Sequence, residues 1–432
     1  MPSRRAVLAA CGSAALAGCS TLRDDPTITV SWPQRGYDRA RTGSVDDAFT
    51  GPEPPLADGW TRSLPDGRGS ETSPILADGT LYVGDTNGPL PGTAGERTVT
   101  IDALDPGTGE RRWSATATTT RESHGTYYHA DSLAFARETE LILLQTSNGL
   151  CAVGTDGAER WCFDNVGDGQ LSYQPVAPAV DAETAYVGRY RRIATDDTEP
   201  AFYAVDLEDG SERWRHEFSA WDGRLVYSPA VADGVVYLAA YDEGVMALDA
   251  SDGTELWRES VPVDSAPTVA NGAVYVTTVH YDDEELGASA LEADTGEVRW
   301  SVTDERQDAW APRHLAVTDK EVYYPTFGRL VARDAETGAQ LWEETDDQAP
   351  AGVGRIGSGA PAVVGDRIYA AGSDVFVLDR SDGSVLSRYE TDRDTESSVA
   401  LAGGWLYVNT GPTLYGLTTC ETEVLDRCLR QG

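Results

Sequence analysis

Two phrases of alternating apolar and polar residues recur along the chain, and each predicts a β-hairpin. The first is a short apolar stretch, an Asp, a turn rich in Asp, Thr and Gly, a few polar residues and a Trp. It reads "DALDPGTGERRW" ending at Trp113, "YAVDLEDGSERW" ending at Trp214, "MALDASDGTELW" ending at Trp257, "SALEADTGEVRW" ending at Trp300 and "VARDAETGAQLW" ending at Trp342. Asp accepts hydrogen bonds from turn amides and Gly supplies the positive φ that β-branched residues resist, so two strands and a tight turn are predicted. The second phrase reads "SPILADGTLYVGD" from Ser73, "SPAVADGVVYLAA" from Ser228, "APTVANGAVYVTT" from Ala266 and "SVALAGGWLYVNT" from Ser398. Its Asp-Gly or Asn-Gly turn, set between β-branched and aromatic runs, predicts a second hairpin.

Two hairpins make four antiparallel strands, and the Trp residues at 113, 161, 214, 257, 300 and 342 recur every 42 to 53 residues. That period belongs to a propeller blade. Eight copies of the second phrase therefore predict an all-β, eight-bladed β-propeller over residues 55–420, with a tail at 421–432. The segment "GWTRSLPDG", carrying Trp60, has no hairpin of its own and is predicted to close the ring as the outer strand of blade eight, hiding the sheet edges. Trp60, Trp113, Trp161, Trp214, Trp257, Trp300 and Trp342 are read as blade-docking residues, because a catalytic side chain would not be copied at every blade. Ser387, in "VLDRSDGSVLS", stands where blade seven should carry its Trp and is read as a tolerated defect.

The first residues are an address. Arg4 and Arg5 precede an uncharged apolar run that ends in "LAGC" at Cys19, a pattern similar to a twin-arginine export signal joined to a lipobox. Residues 1–18 are read as the signal, Cys19 as a lipidated N-terminus at the outer face of the cytoplasmic membrane, and residues 19–54 as a leader. Cys151, Cys162, Cys420 and Cys428 remain as candidate disulfide partners. Four cysteines allow three pairings, and Cys151 with Cys162, and Cys420 with Cys428, are the local ones. Acidic residues number 71 against 34 basic, a net charge of -37, and Lys320 is the only lysine. Nucleic acid and anionic membrane surfaces are excluded as partners by like-charge repulsion, leaving the lipid as the only membrane contact. The acidic, lysine-poor surface is similar to that of haloarchaeal proteins, in which molar salt shortens the Debye length to about 3 Å.

The "A-x-D-x-x-T-G-x-x-x-W" pattern at this period resembles the pyrroloquinoline quinone (PQQ) repeat, over residues 55 to 420. The resemblance implies one of two branches on an eight-bladed scaffold: quinoprotein alcohol and sugar dehydrogenases, or non-catalytic propellers of the BamB lipoprotein type. "WPQRGYDRARTG", Trp32 to Gly43, resembles the leader of exported members. The enzyme branch implies an axial cofactor held between a Trp and a ring of two adjacent cysteines, with a calcium ion bound by a Glu and an Asn and an Asp as base. No adjacent cysteines occur here, and Trp310 is the one residue placed to imitate the Trp wall. Neither a cofactor nor a metal is therefore expected, with PQQ and calcium as the alternative. "DLEDGSE" and "DASDGTE" lack the spacing of a calcium loop, His124 and His129 lack further ligands, and no nucleophile elbow or P-loop occurs.

A rigid ring displays function on its rim loops and at the channel mouth. Residues just before each inner strand should approach the axis: Glu71, Tyr173, Tyr227, Asp264, Trp310, Arg355, Glu396 and Ser397. Tyr173, Tyr227, Trp310 and Arg313 are the binding candidates, since aromatic and arginine side chains dominate binding hot spots. Insertions at 86–98, 119–130, 190–200 and 280–288 distinguish individual blades. The sequence thus points to a monomeric, lipid-anchored propeller that binds a protein partner at the cell surface without catalysis. A PQQ-dependent dehydrogenase and a surface receptor for a small ligand or glycan are the alternatives.

Overall fold

The computed structural model describes residues 31–45, 50–64, 72–87, 96–121, 133–146, 149–163, 177–188, 201–218, 227–240, 243–280, 285–304, 314–326, 329–345, 356, 359–395, 397–420, 423–424 and 427–428. Eight antiparallel four-stranded sheets follow one another around a ring, and the described residues include no helix. Blade four shows the common plan: a three-residue inner strand Ala230–Ala232, then Val235–Ala240, Gly244–Asp249 and the outer strand Glu255–Glu259. The second and third strands read as near-continuous apolar runs because both of their faces are covered by neighbouring blades. Core clusters accordingly straddle blade boundaries, as where Tyr186, Phe202 and Trp214 of blade three meet Val231, Leu238 and Met246 of blade four.

The ring closes as the sequence predicts. Leu56–Ser63 pairs antiparallel with Thr413–Thr419 and supplies the outer strand of blade eight. Antiparallel order gives the ring two unlike rims. One carries the tight turns between first and second and between third and fourth strands; the other carries the second-to-third connections and the crossings between blades. They are called here the turn rim and the loop rim. Among the described residues only blade seven has a fifth strand, Ser44–Val45, which pairs parallel to its inner strand Ala362–Val364 and so lies on the axial side.

Each outer strand carries a bulge just before the Trp position. In blade four Trp257 faces Ala247 and Glu255 faces Leu248, leaving Leu256 as the extra residue. The bulge turns the indole toward the following blade. There, seven indoles donate to a carbonyl in the next blade's third-to-fourth turn at 2.8–3.0 Å: Trp60 to Pro106, Trp113 to Thr155, Trp161 to Leu207, Trp214 to Ala250, Trp257 to Ala293, Trp300 to Ala335 and Trp342 to Arg380. The turn glycine lies flat on the ring; a Cβ on Gly253 would come within 2.5 Å of Trp214.

Ser387 is not a random gap in this series. The blade after it is the eighth, whose third and outer strands come from opposite ends of the chain and share no turn. An indole at 387 would have no turn carbonyl to meet. Instead the Ser387 hydroxyl accepts the Leu56 amide at 3.3 Å and Tyr389 donates to Asp58, tying blade seven to the closing strand. Cys151 and Cys162 face each other across blade two and form a disulfide. Cys420 is disulfide-bonded; the side chain of Cys428 lies outside the described ones.

Candidate functional site

The axis is occupied by the chain itself. The first described segment, Ser31 to Val45, passes around the inside of the ring and takes the inward-facing amides of the inner strands one after another. Trp32 exchanges two backbone hydrogen bonds with Leu76 of blade one, at 2.7 and 2.9 Å. The amides of Phe135, Val231, Val269, Val317 and Val363, on blades two, four, five, six and seven, donate to the carbonyls of Pro33, Arg39, Ala40, Thr42 and Gly43 at 2.7–2.9 Å. Side chains reach the remaining two blades: Arg39 pairs with Asp181 of blade three, and Arg35 donates to the Ser398 hydroxyl of blade eight at 3.0 Å. An inner strand in a ring has one unpaired edge facing the axis, and buried amides there need acceptors. The leader supplies them.

Local geometry allows the tight circuit. Gly36 and Gly43 sit at φ 75° and 61°, and Tyr37 and Arg41 take the left-handed region at 74° and 61°, which non-glycine residues adopt only when their surroundings hold them there. Trp32 is 1% exposed, packs tilted against Tyr37 with ring centroids 5.1 Å apart and joins the core cluster containing Leu76, Val364 and Leu401. Asp38 bridges the turn by accepting from the amide and hydroxyl of Thr42 at 3.0 and 2.8 Å. Burial raises the Asp38 carboxyl above its ordinary value, against the lowering effect of the Thr42 hydrogen bonds. Arg41 is buried and donates to Pro229, Arg35 and Ala177 carbonyls at 2.6, 3.3 and 3.0 Å, bracing blades three and four. Desolvation pushes its pKa down to about 10, opposed by the charge of Asp38.

Above the leader, a belt of serines links blades. The amides of Ala177, Ala360 and Ser398 donate to the hydroxyls of Ser228, Ser398 and Ser73 in the following blade at 2.9–3.0 Å. These serines open three copies of the second sequence phrase, a recurrence that was the available signal for the belt. At Trp32 the leader runs antiparallel to the inner strand of blade one, and at Ser44–Val45 parallel to that of blade seven. It therefore rises from the turn rim and returns toward it, leaving the loop-rim side of the axis above it. A small cavity with room for about one water molecule opens there, lined by Arg35, Gly36 and Arg41 of the leader and by Ala266, Thr268, His314, Leu315 and Ala360 from the approaches to the inner strands of blades five to seven.

Of the axial candidates read from the sequence, Tyr227, Asp264 and Ser397 are described and all three are buried; Tyr227 donates to Asp264. Tyr173, Trp310, Arg313, Glu71, Arg355 and Glu396 lie outside the described residues, as do Cys19 and most of the four insertions. The functional residues that sequence reading missed are those of the leader, which looks like a linker because its partners lie on eight separate stretches of chain.

The described residues do not fit a PQQ group with calcium. No two cysteines are adjacent in the chain, and the leader holds the axis at the level of the inner strands. The cavity above it has room for about one water molecule, far below the ~300 Å³ at which pockets for drug-sized ligands begin. Among the described residues no three His, Cys, Asp or Glu side chains converge to hold a metal ion.

The family model described as outer membrane protein assembly factor BamB matches residues 55–219, 152–264 and 201–411 in overlapping segments. No curated protein matches the sequence. Among solved structures, BamB from Moraxella catarrhalis superposes with a TM-score of 0.56 at 16% identity, over 84% of this chain and 99% of that one. Quinohemoprotein alcohol dehydrogenase from Comamonas testosteroni superposes at 0.65 and 15% identity, over 92% of this chain and 81% of that one. A europium-containing methanol dehydrogenase superposes at 0.66 and 12% identity, over 90% and 98%. At such identities the likeness is one of fold, shared alike by proteins named for assembly and for alcohol oxidation.

Proposed function

The chain belongs to the family of the outer membrane protein assembly factor BamB, and from that premise we propose that it is a non-catalytic protein-interaction scaffold, exported and held at the outer face of the cytoplasmic membrane through lipid on Cys19. The observation that carries this reading is the filled axis. A ring whose inner amides are satisfied by its own leader is a rigid body, and among the described residues it has no axial seat for a cofactor of PQQ size, so what it offers a partner is its surface. The repeated turns are nearly alike from blade to blade, whereas the insertions differ, and partner choice belongs to positions that differ. The repeated Asp and Trp serve architecture.

Two measurements test the reading. Full-length protein purified in high salt is titrated with PQQ and calcium while thermal stability is followed; no saturable shift is expected, and a one-to-one shift accompanied by dye-linked alcohol oxidation overturns the proposal. In parallel, membrane-anchored protein is cross-linked in cells. One defined protein should be captured by wild type and lost when residues 190–200 or 281–284 are replaced by Gly-Ser linkers, with the Cys19→Ser variant released from the membrane. Failure of Cys19→Ser to change fractionation removes the anchor from the proposal and leaves the scaffold standing.

A further inference from the structure

The leader enters and leaves the ring by the same rim. Inner strands run from the loop rim to the turn rim, and at Trp32 the leader runs antiparallel to the inner strand of blade one, so Ser31 stands at the turn rim. At Ser44–Val45 it runs parallel to the inner strand of blade seven and descends again. Beyond that it stays on the turn rim: the Gly404 amide donates to the Thr50 carbonyl and the Tyr369 hydroxyl to the Pro52 carbonyl, both at 3.0 Å, Glu53 pairs with Arg367, and Leu56 opens the closing strand. The chain before Ser31 then limits how the ring can sit on a membrane. Cys19 lies twelve residues before Ser31, and whatever their conformation these residues span at most ~40 Å. To lay the loop rim on a bilayer, a tether from Cys19 must pass under the turn rim, round a wall and up its height. Crossing from the leader past the four strands of a blade takes ~19 Å, and climbing a six-residue outer strand such as Glu212–Glu217 takes ~20 Å. Full extension leaves nothing for the turns and connections that stand beyond both ends of the strands.

The two rims also differ in what they carry. Exposed residues of the turn rim include Asp78, Glu138, Asp233 and Asp366, from four different blades, and carboxylates neither enter hydrocarbon nor attract lipid phosphates. On the loop rim the second-to-third connection is tight in blades four, seven and eight, between Ala240 and Gly244, Ala371 and Asp374, and Asn409 and Thr413. In blades one, three and five the same connection carries the insertions at 86–98, 190–200 and 280–288. The insertion at 119–130 follows the outer strand of blade one, which also ends on the loop rim. All four departures from the repeat therefore issue from one face, where a rigid ring displays what differs between blades. We propose that the turn rim is the membrane-proximal face and that the loop rim, turned away from the bilayer, is the docking face for a protein partner that stands clear of the membrane. This rests on the lipid at Cys19. It makes the partner's contacting segment a water-exposed one, outside any membrane span.

The test uses the full chain, purified with its anchor and placed in phosphatidylcholine liposomes that carry an acceptor dye on the headgroups, at high potassium chloride. A donor dye on Glu138→Cys reports the turn rim and one on Arg393→Cys, between blades seven and eight, the loop rim; both positions are exposed, and wild type treated with the same dye is the blank. Energy transfer is expected from Glu138→Cys and should be weaker by about twofold or more from Arg393→Cys, since the rims stand ~20 Å apart. Equal transfer, or stronger transfer from Arg393→Cys, overturns the orientation and leaves the anchor standing. Protein that does not stay with the liposomes removes the anchor and the proposal with it. In cells, a photo-crosslinking residue is then placed at the exposed loop-rim positions Ser260 and Arg393 and at the exposed turn-rim positions Glu138 and Asp233. Capture of one protein from a loop-rim position, through a peptide outside any membrane span and without capture from the turn rim, is expected. Capture from the turn rim, from neither rim, or through a membrane-spanning peptide overturns the docking face.

Discussion

At each outer strand a Trp faces a small residue across the bulge: Ala103, Ala152, Ala204, Ala247, Ala290 and Ala332 in blades one to six, and Gly416 opposite Trp60. In blade seven Ser387 faces Val377, so the loss of the indole is matched by a larger partner. We expect Ser387→Trp to destabilise by roughly 1–3 kcal/mol through overpacking, and Val377→Ala to recover part of that in the double variant, measured by denaturant unfolding as a double-mutant cycle. Glycine positions separate backbone from packing effects. Gly234 and Gly253 both lie at positive φ, but a Cβ on Gly234 meets nothing within 4 Å, whereas one on Gly253 meets Trp214. Gly234→Ala should cost about 1 kcal/mol of backbone strain and Gly253→Ala at least ~1 kcal/mol more, read by the same unfolding curves. The repeated turn aspartates respond to pH. The Glu208 amide and Arg213 hold Asp206 below the usual carboxylate range, as the Ser251 hydroxyl and amide do for Asp249 and the Thr337 hydroxyl and amide for Asp334. A depressed folded-state pKa gives stability that is present above the unfolded value of about 3.9 and is lost as pH falls through the folded one. The thermal midpoint should therefore change little on this account above pH ~5 and fall below pH ~4, with the acid limb less steep in Asp249→Asn.

The leader is the element whose importance exceeds its length. It has little regular structure, yet it satisfies inner-strand amides of six blades and places Trp32 in the core. Trp32→Ala should cost ~3–5 kcal/mol, as truncation of a fully buried aromatic does. Gly43→Ala should be severe for a different reason: at φ 61° its Cβ would stand 2.9 Å from both the Pro361 carbonyl and the Ala316 side chain. Amide exchange provides the readout that separates a local from a global effect. Both variants should deprotect Leu76, Val231, Val269, Val317 and Val363 first, whereas a substitution in an outer strand should leave those amides protected until global unfolding. The element-level pattern was legible in the sequence wherever partners are adjacent in the chain, as in each hairpin and its turn. The strand Leu56–Ser63 could be found only by counting, because blade eight lacked an outer strand and one Trp lacked a blade.

For the whole molecule the governing quantity is charge. Many acids are paired along the outer strands, including Asp105 with Arg112, Asp206 with Arg213, Glu292 with Arg299 and Glu255 with Arg258, but exposed pairs of this sort are worth at most ~1 kcal/mol each. With 71 acidic residues against 34 basic ones, most carboxylates repel one another in the closed ring more than in the open chain. The thermal midpoint should rise steeply between low salt and about 1 M potassium chloride, where the Debye length falls to ~3 Å, and then flatten. A midpoint independent of salt would show that the acidic surface carries no such penalty. The amino-acid pattern alone determined the number of blades, the order of strands within each and the role of the closing strand, because these depend on neighbours in the chain and on a period that repeats. It could not determine that Trp32–Gly43 fills the axis, that an alanine or glycine stands across from each docking indole, or that Ser387 faces the blade whose third and outer strands share no turn. Those relations join residues tens to hundreds of positions apart, and only the closing of the ring brings them into contact.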